Sequence, residues 1–146
     1  QHPLSQQCVL LNNRDVVIID DFAHHPTEIE ATLETIKAAY PDKKIYTVFQ
    51  PHTFSRTEAL FEQFSHAFAD TDTLIILDIY GSKREPTGTI TSQDLVNAIK
   101  KGMPDINVYH AHHLDEAAGL LKDHISSPSL VLTMGATELW RLKDLL

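Results

Sequence analysis

A run of four consecutive β-branched residues, Val16 to Ile19, constrains the fold of this chain more than any other feature. A strand that is apolar at every residue must be covered on both faces, as in a parallel sheet between two layers of helices. Similar apolar runs recur along the chain and alternate with segments of helical spacing. The predicted strands are 7–11, 15–20, 44–49, 73–78, 106–110 and 129–134, and the predicted helices are 27–39, 56–69, 92–101, 113–125 and 137–145.

This alternation predicts an α/β fold with a mostly parallel six-stranded sheet and helices on both faces. The pair Asn12-Asn13 would join the first two strands as a hairpin, which makes one edge strand antiparallel. At 146 residues, with no linker or repeat, the chain is expected to form one domain, 1–146, with one sizeable core.

The composition argues against several classes of protein. The formal net charge of -8 argues against nucleic-acid binding, because a phosphate footprint needs a basic face. No segment approaches the roughly 18 apolar residues that span a bilayer, and no signal peptide is visible, so no membrane contact is expected. The lone Cys8 cannot form an internal disulfide, which favours a cytoplasmic location. Its apolar neighbours predict a buried thiol.

Two carboxylates, two imidazoles and a helix start lie together after the second predicted strand, in the segment Asp20–Glu28. Pro26 suits the first position of a helix, and Glu28 suits its first turn, where a carboxylate meets the positive end of the helix dipole. Open α/β sheets place ligand-binding groups in strand-to-helix turns of this kind. The segment is therefore predicted to be a site, and the alternative is a solvated turn with a helix cap.

A second polar segment, Phe49–Thr57, follows the predicted strand 44–49 and opens the next helix. Ser55 is the predicted N-cap, and Glu58 would complete a capping box. Arg56 then lies near the helix N-terminus, where its charge is unfavourable with the helix dipole. This position suggests that Arg56 is kept for an anionic partner, which a guanidinium can bind through two parallel hydrogen bonds. The alternative is a surface arginine with its charge in water.

Together, the segments Asp21-Phe22-Ala23-His24-His25-Pro26-Thr27-Glu28 and Phe49-Gln50-Pro51-His52-Thr53-Phe54-Ser55-Arg56 resemble the C-terminal domain of the Mur ligases. The Asp-x-Ala-His-x-Pro core is also similar to that of folylpolyglutamate synthetases. The Gln-Pro-His-x-aromatic-Ser/Thr-Arg segment resembles the branch that adds L-alanine to UDP-N-acetylmuramate in peptidoglycan precursor synthesis. The resemblance extends over Asp78–Ser82 and covers nearly the whole chain. It implies a Rossmann-like sheet.

The resemblance also implies roles for individual side chains. Asp21 would contact the ribose of the nucleotide. Phe22 and His24 would line the amino-acid pocket, with His24 as the catalytic residue near the incoming amine. His52 would help to orient the alanine, and Arg56 would bind its carboxylate.

The cofactors and partners that the resemblance implies lie partly outside this chain. Mur ligases use ATP and Mg²⁺, held mainly by a central domain with a Gly-x-x-x-x-Gly-Lys-Ser/Thr phosphate loop, and this sequence has no such loop. The domain is expected to work with its own N-terminal and central domains on L-alanine, ATP and UDP-N-acetylmuramate, and to be inactive alone. Closure of the domains would exclude water from the acyl phosphate intermediate.

For three segments the resemblance does not determine a role. Thr53 stands where many relatives carry arginine, so the role of that contact is not carried over. Thr137 and Glu138 replace the usual family sequence after Gly135. This glycine is expected to be a packing turn, and the alternative is a turn whose backbone N–H groups bind an anion. The long polar loop Asp78–Thr91 is expected either to face the ligand or to be a surface insertion.

The histidines raise the question of a metal site. His110, His112 and His113 are close in sequence, but no cysteine accompanies them and no His-Glu-x-x-His helix occurs, so no metal site is predicted. The adjacent His24 and His25 are expected to point in different directions, which disfavours a shared ion.

Two other classes of function remain open from the sequence. A phosphoacceptor receiver module would also have an acidic pair after its first strand and an aspartate, here Asp78, after a later one. It needs a lysine followed by proline at the last strand of the sheet, where Met134-Gly135 stands instead. A noncatalytic α/β domain that binds a small molecule is the other alternative, since this class of fold hosts many functions.

Overall fold

Six strands form one sheet in the computed structural model, which describes residues 5–11, 14–81, 90–126, 128–135 and 138–146. The strands are β1 (Ser5–Leu11), β2 (Arg14–Asp21), β3 (Lys44–Phe49), β4 (Thr73–Leu77), β5 (Asn107–Ala111) and β6 (Ser129–Met134). The helices are α1 (Pro26–Ala39), α2 (Phe54–Ala59), α3 (Phe61–Phe64), α4 (Ser92–Gly102), α5 (Leu114–His124) and a 3₁₀ helix (Leu139–Leu145).

The strand order is β1-β2-β6-β3-β4-β5. Strand β1 pairs antiparallel with β2, and every other neighbouring pair in the sheet is parallel. The predicted fold class, a mostly parallel six-stranded sheet with one antiparallel edge strand, is confirmed. The Asn12-Asn13 turn that was predicted to join β1 and β2 lies outside the described residues.

The direction of the connections explains why helices cover both faces. From β2 to β3, β4 and β5 the chain moves across the sheet in one direction, and such crossovers are right-handed as a rule, which places their helices on one face. Ile29 of α1 and Leu95 of α4 accordingly share one core. The connection from β5 to β6 runs back in the opposite direction. It places Leu121 of α5 in the other core, together with Leu142 of the 3₁₀ helix.

The β-branched run of β2 is buried on both faces, as predicted. Val17 and Ile19 lie in the core that also contains Ile29 of α1. Val16 and Ile18 lie in the core that also contains Leu142 of the 3₁₀ helix. Burial of one such side chain contributes about 1.5–3 kcal/mol relative to leaving it exposed. This strand therefore holds the two helical layers together.

Two predicted helices differ from those observed. The helix predicted over 56–69 is divided into α2 and α3, because the backbone leaves helical geometry at Leu60 (φ -109°, ψ 15°). The predicted N-cap, Ser55, is also wrong. Thr53 caps α2, so Ser55 lies inside the helix. The segment predicted as a helix over 137–145 is a 3₁₀ helix, in which Leu139 and Leu142, three residues apart, share the buried face.

Cys8 is exposed, so the predicted burial of its thiol is wrong. The residue pairs with Val17 in the antiparallel ladder, but it lies on the edge strand β1. Apolar neighbours in sequence predicted burial, whereas the position at the edge of the sheet leaves the thiol uncovered.

Among the described residues, no helix combines the length and the apolar character that crossing a membrane requires.

Gly135, directly after β6, is expected to tolerate no side chain. Its φ of +148° is strained for other residues, and an added Cβ would lie 3.1 Å from the Gln50 carbonyl oxygen and 3.1 Å from Leu139 Cδ1. We predict that Gly135→Ala lowers the free energy of unfolding by about 1–3 kcal/mol. The matched control is Gly119→Ala in α5, where an added Cβ meets nothing within 4 Å. The free energy of unfolding of this variant should be about 0.5–1 kcal/mol higher than that of wild type. Urea denaturation measures both, and equal effects would contradict the packing role of Gly135.

Candidate functional site

The two polar segments lie at one edge of the sheet, because both follow the carboxyl ends of parallel strands. Strand β6 lies between β2 and β3, and its Met134 is level with Asp21 on one side and Phe49 on the other. Two strand spacings separate Asp21 from Phe49, which is about 10 Å. The chain leaves β2 toward one face of the sheet and β6 toward the other. This is the switch point at which open α/β sheets bind ligands.

The two aspartates at the end of β2 form hydrogen bonds with different elements of the fold. Asp20 accepts a hydrogen bond from the Thr133 hydroxyl of β6. Burial raises the pKa of Asp20, the Thr133 hydrogen bond opposes this rise, and the charge of Asp21 adds to it. Asp21 Oδ2 accepts a hydrogen bond from the Thr32 hydroxyl of α1 at 2.8 Å. Successive side chains of a strand point to opposite faces of the sheet, so the two carboxylates lie in different environments.

His24 is held with one defined ring nitrogen protonated. Its Nδ1 lies 2.9 Å from the Phe22 carbonyl oxygen. A carbonyl oxygen can only accept, so Nδ1 must carry a proton. In the neutral imidazole, Nε2 is then the nitrogen with a free lone pair. His24 therefore presents Nε2 as the atom that could accept a proton from a ligand.

In His25 the Nδ1 atom is an acceptor rather than a donor, since it accepts a hydrogen bond from the Thr27 backbone N–H at 3.1 Å. His25 is thus the N-cap of α1, with Pro26 in the first helical turn as predicted. Glu28 Oε1 accepts from the His25 backbone N–H at 3.2 Å, which completes a capping box. The two neighbouring histidines thus form hydrogen bonds with different backbone groups, and their pointing in different directions stays a prediction. Sequence reasoning missed the cap because histidine is not among the preferred N-cap residues.

His52 is positioned by a short parallel bridge to the segment after β4. The Tyr80 N–H donates to the Pro51 carbonyl at 2.8 Å, and the Thr53 N–H donates to the Tyr80 carbonyl at 2.8 Å. The imidazole of His52 stacks on the Tyr80 ring, with 5.7 Å between the ring centroids and 14° between the planes. Sequence reasoning missed Tyr80, whose contribution depends on the pairing of two segments that are far apart in the chain.

Thr53 has a structural role in this turn. Its φ of 63° is unusual for a residue other than glycine. The Thr53 hydroxyl accepts a hydrogen bond from the Arg56 backbone N–H at 3.2 Å, which starts α2. Arg56 thereby lies in the first turn of α2 and is exposed. Among the residues that the structure describes, no carboxylate forms an ion pair with its guanidinium.

Two large aromatic side chains are exposed near these groups. Phe22, predicted to line the amino-acid pocket, is 50% exposed, and Tyr80 is 51% exposed. Exposed aromatic rings at a strand edge can contact a ligand or another domain. Residues 82–89, which make up most of the long polar loop, lie outside the described part of the chain, so the expected ligand-facing loop stays a prediction.

A further polar cluster, which we call the Asp-His-His cluster, consists of Asp78, His110 and His112. Asp78 Oδ1 lies 2.6 Å from His110 Nε2, and Asp78 Oδ2 lies 3.0 Å from His112 Nδ1. The three residues meet because β4 and β5 are neighbours whose ends, Leu77 and Ala111, are paired. Asp78 is 32 positions before His110, so grouping the histidines by sequence alone missed it.

The charges of the Asp-His-His cluster reinforce each other. Burial alone would raise the pKa of Asp78, but the hydrogen bonds and charges of His112 and His110 outweigh it and lower the pKa overall. The hydrogen bond to Asp78, and then the Asp78 charge, raise the pKa of His112.

A switch point with a carboxylate, an imidazole and an exposed guanidinium at its edge is typical of α/β domains that bind a ligand. The family model described as "Mur ligase, glutamate ligase domain" matches residues 7–137, and the chain belongs to this family. The chain is 44% identical over 131 residues to the UDP-N-acetylmuramate–L-alanine ligase of Clostridium tetani, covering 90% of this chain and 28% of that protein. It is 48% identical over 122 residues to the enzyme of the same name from Clostridium beijerinckii, covering 83% of this chain and 26% of that protein. The chain thus spans little more than a quarter of the length of these relatives.

Solved structures agree on the fold. The UDP-N-acetylmuramate-alanine ligase MurC of Thermotoga maritima matches with a TM-score of 0.70 and 22% identity, over 92% of this chain and 26% of that one. The folylpolyglutamate synthase of Thermotoga maritima matches with a TM-score of 0.61 and 17% identity, over 96% of this chain and 29% of that one. At these identities the similarity concerns the fold, and it confirms the Rossmann-like architecture.

Glu28 should stabilise the site in a pH-dependent way. Partial burial favours its neutral form, but hydrogen bonds from the His25 and His24 N–H groups outweigh this and lower the pKa of Glu28 below its ordinary value of 4.5. A lowered pKa in the folded state stabilises the fold at neutral pH, and this contribution is lost as the pH falls through the folded-state value. We predict that Glu28→Gln lowers the free energy of unfolding by about 0.3–1.5 kcal/mol near neutral pH.

Thermal denaturation at about pH 7 and about pH 3 tests this prediction, since the difference between wild type and Glu28→Gln should become smaller at the lower pH as the Glu28 carboxylate is protonated. Glu30→Gln, at an exposed position of the same helix, is the matched control and should show a smaller difference. An effect of Glu28→Gln that is equal at both pH values would contradict the role of the carboxylate charge.

Proposed function

We propose that this chain is the C-terminal domain of an ATP-dependent ligase that joins L-alanine to UDP-N-acetylmuramate in peptidoglycan precursor synthesis. The observation that carries the proposal is the 44–48% identity, over 83–90% of this chain, to two ligases of that name. In this proposal the N-terminal and central domains are the partners of the chain and hold the UDP-sugar and most of the ATP and Mg²⁺. The chain alone is then inactive, and its location is the cytoplasm.

The nucleotide side of the proposed site depends on Asp21. ATP supplies the phosphoryl group that activates the carboxylate of UDP-N-acetylmuramate. This chain contributes a carboxylate, which suits a ribose hydroxyl as an acceptor. The Thr32 hydroxyl holds Asp21 Oδ2, and among the described residues Oδ1 has no hydrogen-bond donor. Thr32 would therefore orient Asp21 so that Oδ1 faces the ribose.

His24 would act on the amine of L-alanine. The hydrogen bond of Nδ1 to the Phe22 carbonyl leaves Nε2 as the basic nitrogen of the neutral ring. As the amine attacks the activated carboxylate, a proton must leave the nitrogen, and Nε2 would accept it. The capping box of α1 holds the adjoining backbone in place.

The remaining groups would hold the amino acid. Arg56 would bind the carboxylate of alanine through two N–H groups. His52, fixed by stacking on Tyr80, would orient the bound molecule. Phe22 would cover its small side chain. Closure against the central domain would exclude water from the activated carboxylate.

The alternative functions have less support. For another Mur-type ligase or a folylpolyglutamate-synthetase-type ligase, the solved structures give support only at the level of fold, with 19% identity to a murein peptide ligase and 17% to a folylpolyglutamate synthase. The match to the Mur ligase family over 7–137 leaves the receiver-like and noncatalytic alternatives without a supporting observation.

Asp21→Ala in the full-length enzyme should raise the Michaelis constant for ATP more than that for alanine. A ribose contact is formed equally in the ground state and the transition state, so its loss acts mainly on KM. Thr32→Val keeps the shape of Thr32 but removes its hydroxyl. It should also raise the Michaelis constant for ATP, but by less than Asp21→Ala does. Asp42→Ala, at an exposed position beyond the opposite end of the sheet, is the control. Equal changes for ATP and alanine would argue against the ribose assignment.

Arg56→Lys in the full-length enzyme should reduce kcat/KM for L-alanine about tenfold to a hundredfold. Lysine keeps the charge but loses the planar pair of donors, and a charge-assisted hydrogen bond is worth roughly 1.5–3 kcal/mol. The Michaelis constant for ATP should change little. Arg141→Lys is the matched control, since Arg141 is exposed and its guanidinium lies 3.6 Å from the Glu138 carboxylate.

Alaninamide separates a carboxylate anchor from a structural residue, because it lacks the carboxylate. Wild type should use it poorly, and Arg56→Lys should lose little further activity on it. If the variant impairs alanine and alaninamide to the same extent, Arg56 does not bind the alanine carboxylate.

A further inference from the structure

The Asp-His-His cluster brings together three metal-binding groups from two strand ends. Each of its residues offers one ligand atom, and these atoms lie within 4.8 Å of one another. The rings of His110 and His112 stand edge to face, with 4.7 Å between their centroids. The proposed ligase function uses none of these side chains.

We propose that Asp78, His110 and His112 bind a zinc ion. The ligand atoms would be one Asp78 carboxylate oxygen, His110 Nε2 and His112 Nδ1. The proposal concerns a site that is separate from the ATP-associated Mg²⁺, and it stands whether or not the proposed ligase function is correct.

The three ligand atoms lie close enough to reach one shared ion. Zinc lies about 2.0–2.1 Å from nitrogen and oxygen ligands, so two ligand atoms of a tetrahedral site are about 3.3 Å apart. Asp78 Oδ1 lies 2.6 Å from His110 Nε2, Asp78 Oδ2 lies 3.0 Å from His112 Nδ1, and the three ligand atoms lie within 4.8 Å of one another. Side-chain rotations that bring the three atoms to this spacing would suffice, while the paired ends of β4 and β5 keep the backbone in place.

The types of ligand favour zinc over the ions that are bound by oxygen alone. Mg²⁺ and Ca²⁺ prefer sets of carboxylate, carbonyl and water oxygens. Two imidazoles with one carboxylate suit a borderline divalent ion such as Zn²⁺. Three protein ligands also leave a fourth position for water or another small ligand.

The surroundings of the cluster leave room for that fourth ligand. His112 is exposed and also lines a cavity of about 470 Å³, together with Gln50, Tyr80 and Arg141. Gln50 Nε2 donates to the backbone carbonyl of Asp78 at 3.1 Å. An ion held by Asp78 would therefore lie beside the segment that positions His52.

Calorimetric titration of the chelator-treated 146-residue chain with ZnCl₂ tests the proposal. Wild type should bind a single ion at this site. His110→Gln, His112→Gln and Asp78→Asn should each weaken that binding by at least about tenfold. His66→Gln is the matched control and should leave it unchanged. His66 is also an exposed histidine paired with a carboxylate, Glu62 at 3.0 Å, but it has no third ligand among the described residues. A millimolar excess of Mg²⁺ should not compete.

A second measurement does not depend on the folding of any variant. Addition of zinc to wild type should shift the backbone amide resonances of 77–80 and 110–113 in NMR spectra, and cobalt should give the intense visible absorption of a four-coordinate ion. The proposal is overturned if folded wild type binds no zinc, if the shifts lie elsewhere, or if His110→Gln and His112→Gln bind zinc as tightly as wild type. In those cases the cluster is a hydrogen-bonded triad only.

Discussion

The pairing of β6 with both β2 and β3 is the interaction on which the rest of the structure depends. All six residues of β6 are buried, and its two ladders contribute the central pairings of the sheet. Because both ladders are parallel and in register, the carboxyl ends of β2, β6 and β3 are level. This alignment brings the segment that contains Asp21 and His24 to the same edge as the segment that contains His52 and Arg56. Loss of that pairing would separate the two halves of the proposed site.

Backbone hydrogen bonds position most of the side chains proposed to act on ligands. The Phe22 carbonyl determines which ring nitrogen of His24 is protonated, and the Thr27 N–H determines which ring nitrogen of His25 is the acceptor. The bridge between Pro51, Thr53 and Tyr80 places the ring of His52 and starts the helix that carries Arg56. Backbone groups of this kind reorganise little during a reaction, which favours a preorganised site.

Sequence reasoning was correct where local patterns decide and wrong where distant contacts decide. Pro26 and Glu28 have the helix-start positions that their types predict, because a helix terminus is a local structure. Ser55 was the wrong N-cap because the backbone hydrogen bond between Thr53 and Tyr80, which lies 25 positions after Ser55, holds Thr53 at the capping position. Cys8 was wrongly predicted to be buried because its neighbours are apolar, yet the edge of the sheet leaves it exposed.

The sequence by itself determined the doubly covered sheet, since an apolar run such as Val16–Ile19 is stable only when both faces are buried. It also determined the strand-to-helix turn at Asp20–Glu28, whose residue types act within one or two helical turns. Only the tertiary structure decided that Asp78 meets His110 and His112, and that Thr32 holds Asp21. These contacts depend on which strands are neighbours and on which face each helix packs. Long-range burial and pairing determine both, and no local pattern encodes them.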